Sequence, residues 1–310
     1  MPKYLLKRIA QAIGVVLVIS MITFFILNIV PGNPVQLMLG DFATQETIDR
    51  VTHEMGLDKP VVLQYLHWLG NMLKGDFGTS YFQRQPVLLL LGKAFTVTAK
   101  LALSSYVLAL VIGVGFGIIA AVFHNRFLDK LLMVFSIAGI SAPNFWIAII
   151  LQIIFGLKLH WFPISGVRTF AAYILPTIAL GTRYAASISR ITRTSMLEVV
   201  KQDYIRTAKA KGLSRLQVTM GHAFRNALIP IVTVAGADLS NIFTGSMLIE
   251  SVFSIPGIGK LFLDCIGNRD LPLVEGGVMY IAVICVIVYL LVDMLYTVID
   301  PRIRLGGENE

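Results

Sequence analysis

Apolar residues gather into six long runs separated by polar, proline- and glycine-containing stretches: 9–30, 96–123, 131–157, 170–189, 227–249 and 276–299. A helix needs roughly 20 apolar residues to cross the hydrocarbon core of a bilayer. The pattern therefore predicts an all-α polytopic membrane protein with six transmembrane helices. Lys3, Lys7 and Arg8 precede the first run, which is longer than the apolar core of a secretory signal and is expected to stay as a membrane helix. Pro143 falls inside the third run, and its ring and missing N–H predict a kink or break near Ser141-Ala142-Pro143. The fourth run is the weakest, because Arg183 interrupts it.

Two of the intervening stretches carry helical signals of their own. In 31–95, Thr44 can cap a helix with Ile48, Val51 and Met55 on one stripe, stopped by Gly56. Asp58 with Pro60 then starts another, with Val62, Leu66, Leu69 and Leu73 at helical spacing and Gly75 at its end. This stretch is expected to form a small helical cap over the outer ends of the spans, or a surface that receives substrate from a binding protein. In 203–230, Asp203 and Tyr204 open a short helix, Gly212 closes it as a left-handed residue, and Leu213 follows as the apolar residue after the cap. Ser214 and Gln217 have the spacing of a capping box and start a second helix. Asn226 is expected to cap the returning span, which puts Pro230 in its first turn. Ala208, Ala210 and Gly212 would let such a helix sit shallowly in a partner's groove, anchored by Tyr204 or Ile205; the alternative is ordinary cytoplasmic retention charge.

Composition agrees with the pattern: 56% of residues are hydrophobic, 14% are charged and the mean hydropathy is +0.75, which excludes a soluble domain of this length. The net charge of +8 reflects where the basic residues lie rather than an affinity for nucleic acid. The N-terminus, the 124–130 turn, the 190–225 loop and the C-terminal tail together hold 15 Lys and Arg, against 9 in the opposite, longer loops. By the positive-inside rule both termini and the 190–225 loop are cytoplasmic. Cys265 and Cys285 fall in an exposed loop and in a span; neither a disulfide framework nor a metal signature follows from them.

Candidate chemistry is sparse. Gly92-Lys93 is followed by Ala94 and lacks the upstream glycine of a phosphate-binding loop, so ATP, if it drives this protein, is hydrolysed by another subunit. Arg183, Asp238 and Asp293 are the charges inside predicted spans. Asp238, near mid-span, lines a path or serves packing; Asp293, near the cytoplasmic end of the last span, is expected to pair structurally. Three isolated charges make a poor proton relay, which disfavours an ion-coupled secondary transporter, the alternative reading. The five histidines show no ligand spacing, no metal site is expected, and no catalytic arrangement stands out.

The ordered series of motifs resembles the membrane subunits of the dipeptide, oligopeptide and nickel branch of ABC importers. The resemblance covers nearly the whole chain: the Pro31-Gly32-Asn33-Pro34 exit from the first span, Gly56-Leu57-Asp58-Lys59-Pro60, Gly75-Asp76-Phe77-Gly78-Thr79-Ser80, Pro143-Asn144-Phe145-Trp146, Trp161-Phe162-Pro163, Arg193-Thr194-Ser195-Met196-Leu197-Glu198-Val199, Gln202 to Gly212, Arg225 to Pro230, Glu250-Ser251-Val252-Phe253, Pro256-Gly257-Ile258-Gly259, Arg269-Asp270 and Asp300-Pro301-Arg302. Asn33 stands where the family usually has Asp. Arg206 and Thr207 replace the first two residues of the Glu-Ala-Ala importer signature, while Ala208 and Gly212 match it.

The resemblance implies a type I ABC importer permease fold in a bacterial inner membrane. It implies an N-terminal division at 1–95, a permease core at 96–300 and a tail at 301–310. The implied partners are a second permease subunit, two ABC ATPase subunits carrying ATP and magnesium, and an extracytoplasmic binding protein. This chain itself would hold no cofactor and would not be an enzyme. The coupling helix, 203–212, would meet the ATPases through Asp203, Tyr204, Ile205, Arg206, Thr207, Ala208 and Gly212. Asp238 and Glu250 are candidates for the substrate path, and the cargo would be a peptide, nickel or a nickel chelate.

Overall fold

The computed structural model describes residues 2–29, 35–36, 43–54 and 56–299. The Pro31-Gly32-Asn33-Pro34 exit, Met55 and the 301–310 tail lie outside the described residues. Helices occupy most of the described chain: α1 (Pro2–Ile29), α2 (Gln45–Glu54), α3 (Val61–Leu73), α4 (Val87–Val122), α5 (Phe127–Ser141), α6 (Asn144–Leu151), α7 (Ala171–Val200), α8 (Asp203–Ala210), α9 (Arg225–Val252), α10 (Ile258–Gly267) and α11 (Leu271–Ile299). A π-helical turn, Gln152–Lys158, prolongs α6, and another, Gln217–Phe224, runs directly into α9.

Four stretches are long and apolar enough to cross a membrane: Leu6–Leu27, Val87–Val122, Gln217–Phe243 and Leu271–Met294. The third predicted run breaks at Ala142-Pro143, and its halves are bent by 107°; counted as one span, the pair makes five. Six spans were expected, and α7 is the one that lacks the required hydropathy among the described residues. Its packing explains why. Helices α9, α5 and α6 all pack against it, and it buries Leu175, Ala179, Leu180, Ala185, Ile188, Thr192 and Met196 among others. A helix surrounded by protein needs no apolar face toward lipid.

The chain forms two compact units, Met1–Thr96 with Gly257–Ile287, and Val97–Pro256 with Val288–Glu310. In the first, α3 lies against α1 through aromatic rings: Phe24 meets Tyr65 and Trp68, each at 5.5 Å between centroids. The Ser20 hydroxyl donates to the Leu17 carbonyl at 2.7 Å and lies 2.8 Å from the Tyr65 hydroxyl. Of the predicted stripe, Val62, Leu66 and Leu73 are exposed and Leu69 is half-buried, because the aromatic face of α3 takes the contact with α1. Cys265 is also corrected. It is buried with Val87, Leu90, Leu91, Leu273 and Val274 rather than exposed in a loop, because α10 folds into this core.

The second unit is built around α7 by close helix approach. A Cβ on Gly113 would meet the Ala185 carbonyl oxygen at 2.7 Å, and one on Gly117 would meet the Ser189 carbonyl oxygen at 2.7 Å. This pair of glycines four residues apart lets α4 lie directly on the backbone of α7, as small residues do at membrane helix crossings.

Candidate functional site

The segment after α7 forms an elbow with both arms capped. The Gly212 N–H donates to the Lys209 carbonyl at 3.0 Å and the Leu213 N–H to the Ala208 carbonyl at 3.4 Å, the paired bonds of a Schellman motif. The motif requires a left-handed residue, and Gly212 supplies it with φ +79°. Two residues later the Ser214 N–H donates to Gln217 Oε1 at 2.9 Å, and the Gln217 N–H donates back to Ser214 Oγ at 3.3 Å. This reciprocal capping box starts the second arm.

The second arm then departs from expectation. Asn226 does not cap a new helix: the π-helical turn carries the chain straight into α9, and the Asn226 side-chain amide donates to the His222 carbonyl at 2.6 Å. Pro230 lies inside the continuous helix. A capping Asn needs a chain break before it, and the π turn leaves none.

Burial divides α8 sharply. Ile205 and Ala208 are buried in the core of the second unit, whereas Asp203, Tyr204, Arg206, Thr207 and Lys209 are exposed. Arg206 and Asp203 form an exposed ion pair at 3.6 Å, of a kind that contributes little stability. Ile205 and Ala208 therefore hold α8 to its own chain, and Tyr204 leads its outward face.

A cavity of about 560 Å³ opens within the same unit. Arg183, Tyr184, Ser187 and Arg190 line it from α7, Asp238 and Asn241 from α9, and Ile140 from α5. Ser187 lines the cavity with Asp238, whose Oδ2 is buried with no hydrogen-bond partner. Glu250, the other predicted path residue, lies elsewhere: it is fully buried and accepts from the Thr98 hydroxyl at 2.7 Å and the Ser246 hydroxyl at 3.0 Å. Among the described residues no group of three His, Cys, Asp or Glu is placed to hold a metal ion.

Two buried carboxylates escaped sequence reasoning as structural centres. Asp129, in the first turn of α5, takes a two-pronged contact from Arg193 of α7, Nε to Oδ1 at 2.6 Å and Nη2 to Oδ2 at 2.8 Å. The Asn125 N–H adds a third bond at 2.9 Å. Asp270, in the first unit, accepts from the Ser80 hydroxyl and from the N–H groups of Tyr81 at 3.1 Å and Phe82 at 3.3 Å. Two motifs far apart in the chain, Gly75 to Ser80 and Arg269-Asp270, thus build one turn. Burial, with Glu275 and Asp270 nearby, pushes the Tyr81 phenol up to about 12. Burial, then Asp270, pushes the Cys265 thiol up to about 12.

Long apolar helices, a broken span and a doubly capped elbow are the parts of a polytopic membrane-transport subunit. Two family descriptions match the chain, the binding-protein-dependent transport system inner membrane component over residues 113–305 and its N-terminal membrane component over residues 1–102. The chain belongs to this family of multi-pass inner-membrane transport permeases.

A putative peptide transport system permease protein of Brucella abortus (strain 2308) is 40% identical over 312 residues, covering 98% of this chain and 99% of that protein. The glutathione transport system permease protein GsiC of Escherichia coli (strain K12) is 37% identical over 304 residues, with 98% and 99% covered. A chain of the MetNI methionine ABC transporter, in an inward-facing crystal form, shares the fold with a TM-score of 0.57 and 17% identity, over 69% of this chain and 97% of that one.

Proposed function

We propose that this chain is one of two different membrane subunits of an ATP-driven importer of short peptides, glutathione or chelated nickel. A second permease completes the path, an extracytoplasmic binding protein delivers cargo, and two partner ATPases bind ATP and magnesium. Both termini and the elbow face the cytoplasm. The observation that carries this reading is the division of α8: Ile205 and Ala208 lock it to the core, while Asp203, Tyr204, Arg206 and Thr207 face outward. A short helix held in this way moves as a body, so a partner that grips its outer face shifts the ends of α7 and α9 together. Gly212 and the two caps keep the elbow from absorbing that motion. Support for the cargo class comes from the relatives named for peptide and glutathione transport.

The test is ATP hydrolysis by the co-purified complex in lipid, with and without binding protein loaded from a panel of peptides, glutathione and nickel chelates. Stimulation by loaded binding protein is expected, and Tyr204→Asp should abolish it while leaving the chain inserted. If the chain instead purifies without ATPase subunits and takes up solute on an ion gradient, it is a secondary transporter and the proposal fails.

A further inference from the structure

The cavity between α5, α7 and α9 has an unusual charge balance. Arg183, Ser187 and Arg190 recur at four- and three-residue steps along α7, so they share one face. Neither Arg183 nor Arg190 forms an ion pair among the described residues. Opposite them stands Asp238, whose Oδ2 is buried and without a partner. Leaving a buried carboxylate oxygen unmatched costs on the order of 1–3 kcal/mol, and a charge inside a membrane helix marks function by default. Two exposed guanidinium groups and one carboxylate with an unmatched oxygen leave the cavity one positive charge in excess. About 560 Å³ is within the roughly 300–1,000 Å³ range of small-molecule sites.

The geometry points to a binding site for a short anionic peptide with a free amino terminus, a reading that rests on the peptide-importer function above and names its substrate class. Arg183 and Arg190 each hold one carboxylate, and Asp238 Oδ2 takes the α-ammonium. Seven residues of helix separate the two arginines by about 10 Å, the reach of about three extended residues. The best occupant is therefore about three residues long and carries two carboxylates near its two ends, with Asn241 and Tyr184 offering further polar contacts to the peptide between them.

The test measures equilibrium binding to the complete membrane complex in nanodiscs, without the binding protein, so that the binding protein's own selectivity does not enter. The probes are Glu-Ala-Gly, Gln-Ala-Gly and N-acetyl-Glu-Ala-Gly. Wild type should bind Glu-Ala-Gly about tenfold more tightly than either analogue, the value of one charge-assisted contact. Arg183→Gln and Arg190→Gln should each lower Glu-Ala-Gly affinity by about tenfold, and Arg183→Lys should recover part of it. Asp238→Asn should weaken Glu-Ala-Gly but leave N-acetyl-Glu-Ala-Gly unchanged.

Equal binding of the three probes, or equal losses for both Glu peptides in Asp238→Asn, overturns the site. Loss of the second permease from the purified complex in Arg183→Gln, with retention in Arg183→Lys, assigns the guanidinium to a subunit contact and also overturns it. Peptide-loaded binding protein is added to the same nanodiscs in parallel. If it stimulates ATP hydrolysis while the probes fail to bind, the importer reading stands and only this site falls. If no peptide stimulates hydrolysis, the importer reading itself fails.

Discussion

Arg193 and the pair Arg183 and Arg190 lie on the same helix, α7, yet their surroundings differ. Arg193 meets a nearly fully buried carboxylate, and Asp129 is matched by two guanidinium bonds and one backbone N–H. Arg183 and Arg190 face a cavity whose single carboxylate keeps one oxygen unmatched. Residue type alone does not separate the two regions; saturation does. A carboxylate whose lone pairs are all engaged has nothing left to offer a ligand and contributes by fixing helix positions. One with an idle oxygen beside unpaired cations costs stability in the empty state and regains it when something binds.

The contrast can be broken most forcefully at the saturated end. Arg193→Met leaves the buried Asp129 with only the Asn125 N–H and the His124 ring, 3.4 Å away, facing it, and should cost about 3 kcal/mol. In Asp129→Leu with Arg193→Met most of that loss should return. Thermal unfolding of the purified chain in detergent measures both, and equal losses in the single and double variants would show that the charges are not what the site depends on. Asp270→Ala strips the Ser80 hydroxyl and two backbone N–H groups of their acceptor, and should cost about 1–3 kcal/mol without altering ATP hydrolysis per folded complex. Altered turnover would move Asp270 out of the purely structural class.

At the unsaturated end, Asp238→Asn takes the charge off an oxygen that no group matches, and should leave the unfolding midpoint unchanged or raise it by the equivalent of up to about 1 kcal/mol. The last effect appears only at alkaline pH and concerns Cys265. Its thiol is raised from 9.0 to about 12 in the folded chain, so the unfolded chain gives up the proton first. The resulting stability is whole below about pH 9 and declines as pH rises toward 12. Cys265→Ala should flatten that decline in melts taken between about pH 8 and pH 11, and an unchanged slope would refute it.

Local chemistry was legible from the sequence and distant pairing was not. The elbow could be read because each of its signals acts within five residues: Gly212 closes on Lys209, Leu213 closes on Ala208, and Ser214 exchanges bonds with Gln217. Pro143 announced its break for the same reason. Asp238 stood out as a charge in an apolar run, but its cavity partners on α7 come from helix rotation, which no spacing encodes. Asp129 and Arg193 are 64 residues apart, and Ser80 and Asp270 are 190 apart. Nothing in either neighbourhood names the other. Asn226 and Pro230 misled because a good cap residue before a proline resembles a helix start, whereas here a π turn had already carried the helix through them. The outward stripe of α3 misled because periodicity identifies an apolar face without saying what covers it.

The Ser80–Asp270 contact has a consequence for how the protein is made. The first compact unit joins Met1–Thr96 to Gly257–Ile287, so its N-terminal portion leaves the ribosome long before the carboxylate that closes its turn. At typical synthesis rates of about 5–20 residues per second, the intervening segment delays closure by roughly ten to thirty seconds. Throughout that interval the nascent chain holds an unfinished unit with unpaired Ser80, Tyr81 and Phe82 donors, open to proteases and chaperones. Chains truncated before residue 270 would carry that state permanently.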